Sequence, residues 1–508
     1  MTIVFIYTVD DDDCCRNSAD GGAGSTDKLT QTIDVFQGVP YAEPPLNELR
    51  FMNPVPKSSW APGIWNASHY GYRCPSLSYP GRENDSLSDD RNEDCLYLNI
   101  YTPYERSHPN AKYPVILYVH GGSFLFDSGA EFDGHVLPQF GVVLVTFNYR
   151  LGVLGFLTTG DERLPGQYGL LDQIFVMQWV QKYISKFRGD PTSVTLIGNS
   201  CGGVSVGIHL LSAKTKGLFH RVIIMSGPPN SYFGIHAPDV DFKLFMDNVT
   251  GTVNCTRASI SDSVNCLRKI PWPEFVHHTH NTYPRISPTG VNLKPYVDNN
   301  ILTGFPLDLI RTNQYRRLPI IIGTVKHEWV RNMGGFFSEM GYDHIDLCKG
   351  LSRDLFLKIL RKIFKERFGF SSYIREQIMF EYTDWSNIDD PFINRDNYVQ
   401  LMTDLAMLAP SVQLSKELTE TGSEVFFYIF HHVQKIQTAN ELRERCKSDG
   451  NYWRYNYTYH ESDLNYLFGA PFSKRRIYHT WIDEEFTKED LIVSELAMTL
   501  WTNFAKYG

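Results

Sequence analysis

The sequence lacks any apolar run near the ~20 residues that a membrane helix needs, so no membrane span is expected. It also lacks a basic run. With 48 Lys and Arg against 57 Asp and Glu, the net charge of −9 offers no footprint for nucleic acid. Nine cysteines in 508 residues are too few for a disulfide-built scaffold. A convincing secretory leader is missing: Ile3 to Val9 is short, has no basic flank and runs into Asp10 to Asp13. No repeat or low-complexity tract follows the first 25 residues, which are acidic, rich in Gly and Ser, and expected to be disordered.

What is present suffices for a large core. An apolar fraction of 42% over 508 residues allows one enlarged domain or two to three smaller ones. Apolar runs at Val115–Val119, Val142–Phe147, Val194–Ile197, Val222–Met225, Ile320–Ile322 and Val425–Phe430 read as strands covered on both faces. Between the second and third, Val176, Val180, Tyr183, Ile184 and Phe187 recur at helical spacing, which gives a strand–helix–strand crossover. The chain therefore reads as α/β with a mostly parallel sheet.

The third run leads into "LIGNSCGG", residues 196–203, and Val204–Leu211 then reads as a helix. G-x-S-x-G alone is weak, and an ordinary loop serine is the competing reading. A sharp strand-to-helix turn needs side-chain-free neighbours at 198 and 202, and such a turn would lift the hydroxyl of Ser200 clear of the sheet. A serine nucleophile requires a histidine base, and that base requires an acid to fix its tautomer. Glu328 follows the strand at 320–322, and His460 follows the strand at 425–430. The order Ser, acid, His is the one this fold class uses. Composition alone could not single out His460 from 16 histidines. "YVHGGSF", residues 118–124, follows a strand and offers backbone N–H groups for an oxyanion, or else is a plain Gly-Gly turn.

The remaining features read more blandly. Cys74 with Cys95, and Cys255 with Cys266, each bracket a polar loop as a closing pair would, while four free thiols stay open on spacing alone. Sequons at Asn66, Asn84, Asn248, Asn254 and Asn456 are no more than composition gives. "HHTH" at 277–280 has no accompanying ligand set and reads as a solvated loop rather than a metal site. His327-Glu328 starts like a zinc H-E-x-x-H, but Arg331 breaks it. The R-G-D at 188–190 reads as a helix-to-strand turn, with an adhesion motif as the alternative.

Eight stretches in collinear order make the chain resemble the type-B carboxylesterase and cholinesterase family from about residue 33 onward. They are "FQGVPYAEPP", "EDCLYLNIYTP", "VILYVHGGSF", "NYRLGVLGF", "GLLDQIFVMQWV", "GDPTSVTLIGNSCGG", "LPIIIGT" and "LNYLFGAPF". The resemblance implies a single α/β-hydrolase domain over 26–508 and ester hydrolysis without cofactor or metal, on a small-molecule ester. It implies Ser200 as nucleophile, Glu328 as acid, His460 as base, and N–H groups of Gly122, Ser123 and Cys201 as the oxyanion hole. It matches the cysteine pairs 74–95 and 255–266 to family disulfides, which points to a secreted protein. Arg50 with Glu93 and Arg150 with Asp172 resemble the family's ion pairs, and Ser226 its supporting serine.

The departures are as specific. Asn199 stands where the family has Glu, Cys201 where it has Ala, Ser123 and Arg188 where it has Gly, and Trp329 where a glycine follows the acid. The chain stops at "WTNFAKYG", where the resemblance implies a further helical segment, so the carboxy terminus reads as truncated. The family also contains adhesion proteins that keep the fold without the chemistry, so a non-catalytic ectodomain is the alternative. Cholinesterase activity is not expected. The stretch 74–95 contains no Trp to hold a quaternary ammonium, and Asn199 carries no charge. The physiological ester and the oligomeric state are not readable from the sequence.

Overall fold

A computed structural model describes residues 2–3, 7–8, 32–58, 63–76, 90–104, 111–238, 240–282, 293–330, 345–367, 369–434, 457–473 and 486–508. Its strands are β1 (Thr2–Ile3), β2 (Tyr7–Thr8), β3 (Ile33–Pro40), β4 (Ile64–Trp65), β5 (Tyr97–Pro103), β6 (Tyr113–Val119), β7 (Val143–Phe147), β8 (Gly189–Asn199), β9 (Arg221–Met225), β10 (Ile320–Val325) and β11 (Val425–Phe430). Nine of them form one sheet in the order β11-β10-β9-β8-β6-β7-β5-β3-β2. From β11 to β7 every pairing is parallel, and from β7 to β2 every pairing is antiparallel. This is the α/β-hydrolase arrangement, a mostly parallel sheet flanked by helices. Within the amino-terminal segment expected to be disordered, β1 pairs with β4 and β2 with β3. The rest of 1–25 lies outside the described residues.

The near-continuous apolarity of the parallel strands has a simple cause. Side chains alternate between faces, and each face has its own core. Val115, Leu117 and Val119 of β6 enter one core together with Val145, Leu196 and Ile322. Ile116 and Tyr118 enter the other with Leu144, Ile197 and Ile223. Helix α1 (Tyr168–Tyr183) covers the first face with Leu170, Val176, Met177 and Val180, and helix α2 (Cys201–Leu211) adds Val204, Val206 and Ile208. Helix α3 (Lys488–Tyr507) covers the second with Met498, Trp501 and Phe504. Burying one such aliphatic or aromatic side chain stabilises the fold by about 1.5–3 kcal/mol.

The antiparallel half was not legible as strands. β5 carries Asn99 at a fully interior position, where its side chain accepts from Gly38 N–H at 3.0 Å and donates to Gly129 O at 3.2 Å. A polar residue that is buried because it is satisfied does not look like a core residue in the sequence. "HHTH" is a correction: His277 and His278 lie exposed on the helix Trp272–Thr282, not in a loop.

Both cysteine pairs are disulfides, Cys74–Cys95 and Cys255–Cys266. Cys348, which the spacing argument passed over, is disulfide-bonded as well. The Arg150 guanidinium holds the Asp172 carboxylate with 2.8 and 2.7 Å hydrogen bonds, tying the end of β7 to α1. Arg50 pairs with Glu93 and also donates to Leu267 O at 2.9 Å. Arg188 adopts φ +64° at the turn into β8, and its guanidinium pairs with Asp34. The R-G-D is thus a helix-to-strand turn with its arginine engaged. No helix among the described residues is long and apolar enough to cross a membrane.

Candidate active site

Ser200 sits between β8 and α2 with φ +56° and ψ −127°, a conformation that L-residues avoid unless the surroundings impose it. The imposing contacts are backbone to backbone. Ser200 N–H donates to Met225 O at 2.9 Å, on the neighbouring strand β9. A Cβ on Gly198 would collide with Gly202 O, one on Gly202 with Val119 O, and one on Gly227 with Ser200 O. The glycines at 198 and 202 are therefore needed for close approach, as the sequence argument required. Gly227 is a third such glycine, distant in sequence from the motif, and no local pattern marks it.

The stretch after β6 wraps over this turn. Gly122, Ser123 and Phe124 have φ of +90°, +56° and +61°, a run of left-handed residues that turns backbone N–H groups to one side. Phe124 N–H donates to the Cys201 sulfur at 3.1 Å, and Tyr149 O–H donates to His120 O at 2.9 Å. The Cys201 side chain thereby joins the 121–124 loop to the first turn of α2. Burial pushes its thiol up to about 12, so it is a neutral packing group and not a second nucleophile. The N–H groups of Gly122, Ser123 and Cys201 have no acceptor among the described residues.

The other half of the site comes from the ends of β10 and β11. Glu328 opens a short turn of helix, Glu328–Val330, after β10. Its Oε1 accepts from Val325 N–H at 2.8 Å, and its Oε2 lies 2.5 Å from His460 Nδ1. Both side chains are buried. An ionised carboxylate can only accept, so against an ionised Glu328 the donor is Nδ1–H and Nε2 is left as a base. Two further bonds hold the histidine loop. His327 N–H donates to Thr458 O at 3.0 Å, and Thr458 O–H donates to His431 O at 3.1 Å.

These two halves meet at Gly121. A Cβ there would lie 3.1 Å from Asn199 O, 3.2 Å from Ser200 Cβ and 3.6 Å from Oε1 of Glu461, the residue after His460. Ser226 is fully buried just past β9, its N–H donating to Gly323 O at 2.8 Å. Asp463, three residues after His460, accepts from Tyr428 O–H at 2.9 Å. Burial and the nearby Glu328 charge raise its carboxyl to about 7. Sequence reasoning missed Asp463 and Glu461, because "HESD" reads as an ordinary polar helix start.

The carboxylesterase family profile matches residues 20–508. The chain belongs to the carboxylesterase family. Among curated proteins it is similar to mouse neuroligin-3, with 31% identity over 517 residues, covering 94% of this chain and 58% of that protein. Human neuroligin-2 is also 31% identical, over 511 residues, covering 93% of this chain and 57% of the relative. The chain therefore spans less than two thirds of the length of these relatives. At Trp329, where it departs from the carboxylesterase pattern, the structure accommodates the change. Trp329 is buried among Phe356, Tyr398 and Met402, with its backbone N–H donating to Thr403 Oγ1 at 3.3 Å. Asn199 is buried, and its side-chain amide has no hydrogen-bond partner among the described residues.

Proposed function

We propose that this carboxylesterase-family chain is a serine hydrolase of carboxylic esters, with Ser200, His460 and Glu328 as its catalytic triad. The observation that carries the reading is the 2.5 Å contact between two buried groups, Glu328 and His460, and the strained turn in which Ser200 is held supports it. Ser200 Oγ attacks the ester carbonyl while His460 Nε2 takes its proton. Gly122, Ser123 and Cys201 N–H groups stabilise the oxyanion, and His460 returns the proton to the leaving alcohol. Water then repeats the sequence on the acyl-enzyme, with Glu328 keeping His460 in the required tautomer throughout. No cofactor enters this chemistry. The disulfides Cys74–Cys95 and Cys255–Cys266 and the disulfide-bonded Cys348, with exposed sequons at Asn66, Asn248 and Asn254, support a glycosylated, secreted protein.

The second reading is a cholinesterase-like binding ectodomain that turns nothing over. The similarity to neuroligin-3 and neuroligin-2 favours it, as do the unusual neighbours of Ser200. A fluorophosphonate probe separates the two. The esterase reading expects stoichiometric labelling of the wild type, none of Ser200→Ala, and turnover of short p-nitrophenyl esters. Equal labelling of both proteins, or a folded wild type without turnover, favours the binding ectodomain.

A further inference from the structure

Segments on either side of His460 meet at a carboxylate outside the triad, that of Asp490. Asp490 is fully buried in the first turn of α3. Its Oδ2 accepts from the backbone N–H and from the hydroxyl of Thr487, both at 2.7 Å, which caps the helix. Its Oδ1 serves other elements. It accepts from the Tyr466 hydroxyl at 2.8 Å and lies 2.7 Å from His432 Nε2, which donates to an ionised carboxylate. Tyr466 lies on the helix Ser462–Leu467, which closely follows His460. His432 stands just past β11, and its carbonyl and that of His431 accept from the hydroxyl of Thr458, just before His460, at 3.3 and 3.1 Å. The span that carries His460 is thus fastened through Thr458 at one end and Tyr466 at the other, and both fastenings lead to Oδ1. The packing agrees with this. His432 stands edge-on to the Tyr466 ring with centroids 5.1 Å apart, and Ser494 of α3 donates to Tyr466 O at 2.7 Å.

We propose that Asp490 is a positioning residue: through Oδ1 it fixes the His460 span against the end of β11, and so holds the imidazole at its short distance from Glu328. The inference rests on the esterase reading and deepens it. An imidazole held only at Nδ1 can swing about that one bond and carry Nε2 away from the serine. Anchoring the backbone on both sides of His460 removes that freedom. A neutral amide would cap α3 as well and would be easier to bury than a charge. What the charge adds is a pair of strong bonds on the Oδ1 side. Asp490 acts through Tyr466 and His432 and not on the ester, so losing those bonds should slow proton transfer and leave ester binding alone.

The test is kcat and KM on p-nitrophenyl acetate, with urea denaturation, for the full chain and for variants on the two sides of the carboxylate. Tyr466→Phe removes a donor from Oδ1 and keeps the ring, while Thr487→Ala removes one from Oδ2. Both should lose similar stability, since each deletes one hydrogen bond to the same group. Tyr466→Phe should lower kcat roughly tenfold with KM unchanged, and Thr487→Ala should leave kcat within about twofold of the wild type. Asp490→Ala should lower kcat at least as far as Tyr466→Phe, and adding Tyr466→Phe to it should cost little further, because the two act through one bond. If Asp490→Ala does not fold, the pair Tyr466→Phe and Thr487→Ala decides. Equal kcat for that pair, or a Tyr466→Phe loss that falls on stability or KM alone, overturns this proposal and leaves the esterase reading standing. A folded wild type with no turnover and no fluorophosphonate labelling of Ser200 overturns both.

Discussion

The serine half of the site and the acid–base half are built by opposite means. Around Ser200 the backbone does the positioning: three glycines allow close approach, and a strained residue is fixed by main-chain bonds within β8, β9 and α2. Around His460 the side chains do it, through one short contact to Glu328, supported by loop bonds from His327 to Thr458 and from Thr458 to His431. The backbone half cannot tolerate an added methyl group, while the side-chain half depends on the identity of single polar atoms. Substitutions should therefore fail differently in the two halves.

The largest effect is expected on the side-chain half. Glu328→Gln keeps the size of the side chain, and its amide N–H can meet Nδ1 only if the proton moves to Nε2. The histidine then holds the wrong tautomer, and kcat should fall by about 10⁴, or ~5 kcal/mol of barrier, with little change in KM. Steady-state kinetics with p-nitrophenyl acetate measures this, and a loss below tenfold would contradict the assigned role. The backbone half should fail through structure. Gly227→Ala drives a Cβ into Ser200 O, which should cost about 3 kcal/mol of stability and, through misplacement of the nucleophile, roughly 10²-fold in kcat. Gly251→Ala is its control, since that glycine lies in the helix Phe242–Thr252 with open space around it. The control should be neutral or stabilising by under ~1 kcal/mol. Equal losses of stability in the two variants, read by urea denaturation, would remove the distinction.

The same contrast decides what could be read from the sequence. The parallel strands were legible because both their faces are apolar, and Ser200 because its turn needs glycines close by. Glu328 and His460 were reached only through chain order and family resemblance, since no local pattern marks either residue. Their meeting depends on β10 and β11 lying side by side, with Gly323 paired to Tyr428. β3 and β5 escaped notice because satisfied polar residues such as Asn99 interrupt the apolar signal. Gly227 and Asp463 act at a distance from any motif, and their importance lies in contacts rather than in spacing. Trp329 stands where the resembled family has a glycine, and the helices at 353–362 and 391–403 supply the apolar surroundings that hold it.

The smallest expected effect concerns Asp463, and it sharpens the comparison by adding charge to the side-chain half. Asp463 is buried beside Glu328 and His460 and accepts from the Tyr428 hydroxyl, and its carboxyl is raised from 3.8 to about 7, chiefly by burial. A raised carboxyl binds its proton more tightly in the folded chain than in the unfolded one. The stability it supports is therefore fully present below about pH 4 and is lost progressively as pH rises through 7. Between pH 5 and 7 the wild type should lose about 2 kcal/mol from this group alone. Asp463→Asn cannot ionise, so its stability should fall less over the same interval, and the two curves should converge toward acid pH. The measurement is urea denaturation of both proteins from pH 5 to pH 8. Parallel curves would mean that Asp463 is ionised in the folded chain throughout, with the Tyr428 bond and the His460 charge outweighing burial and the repulsion from Glu328.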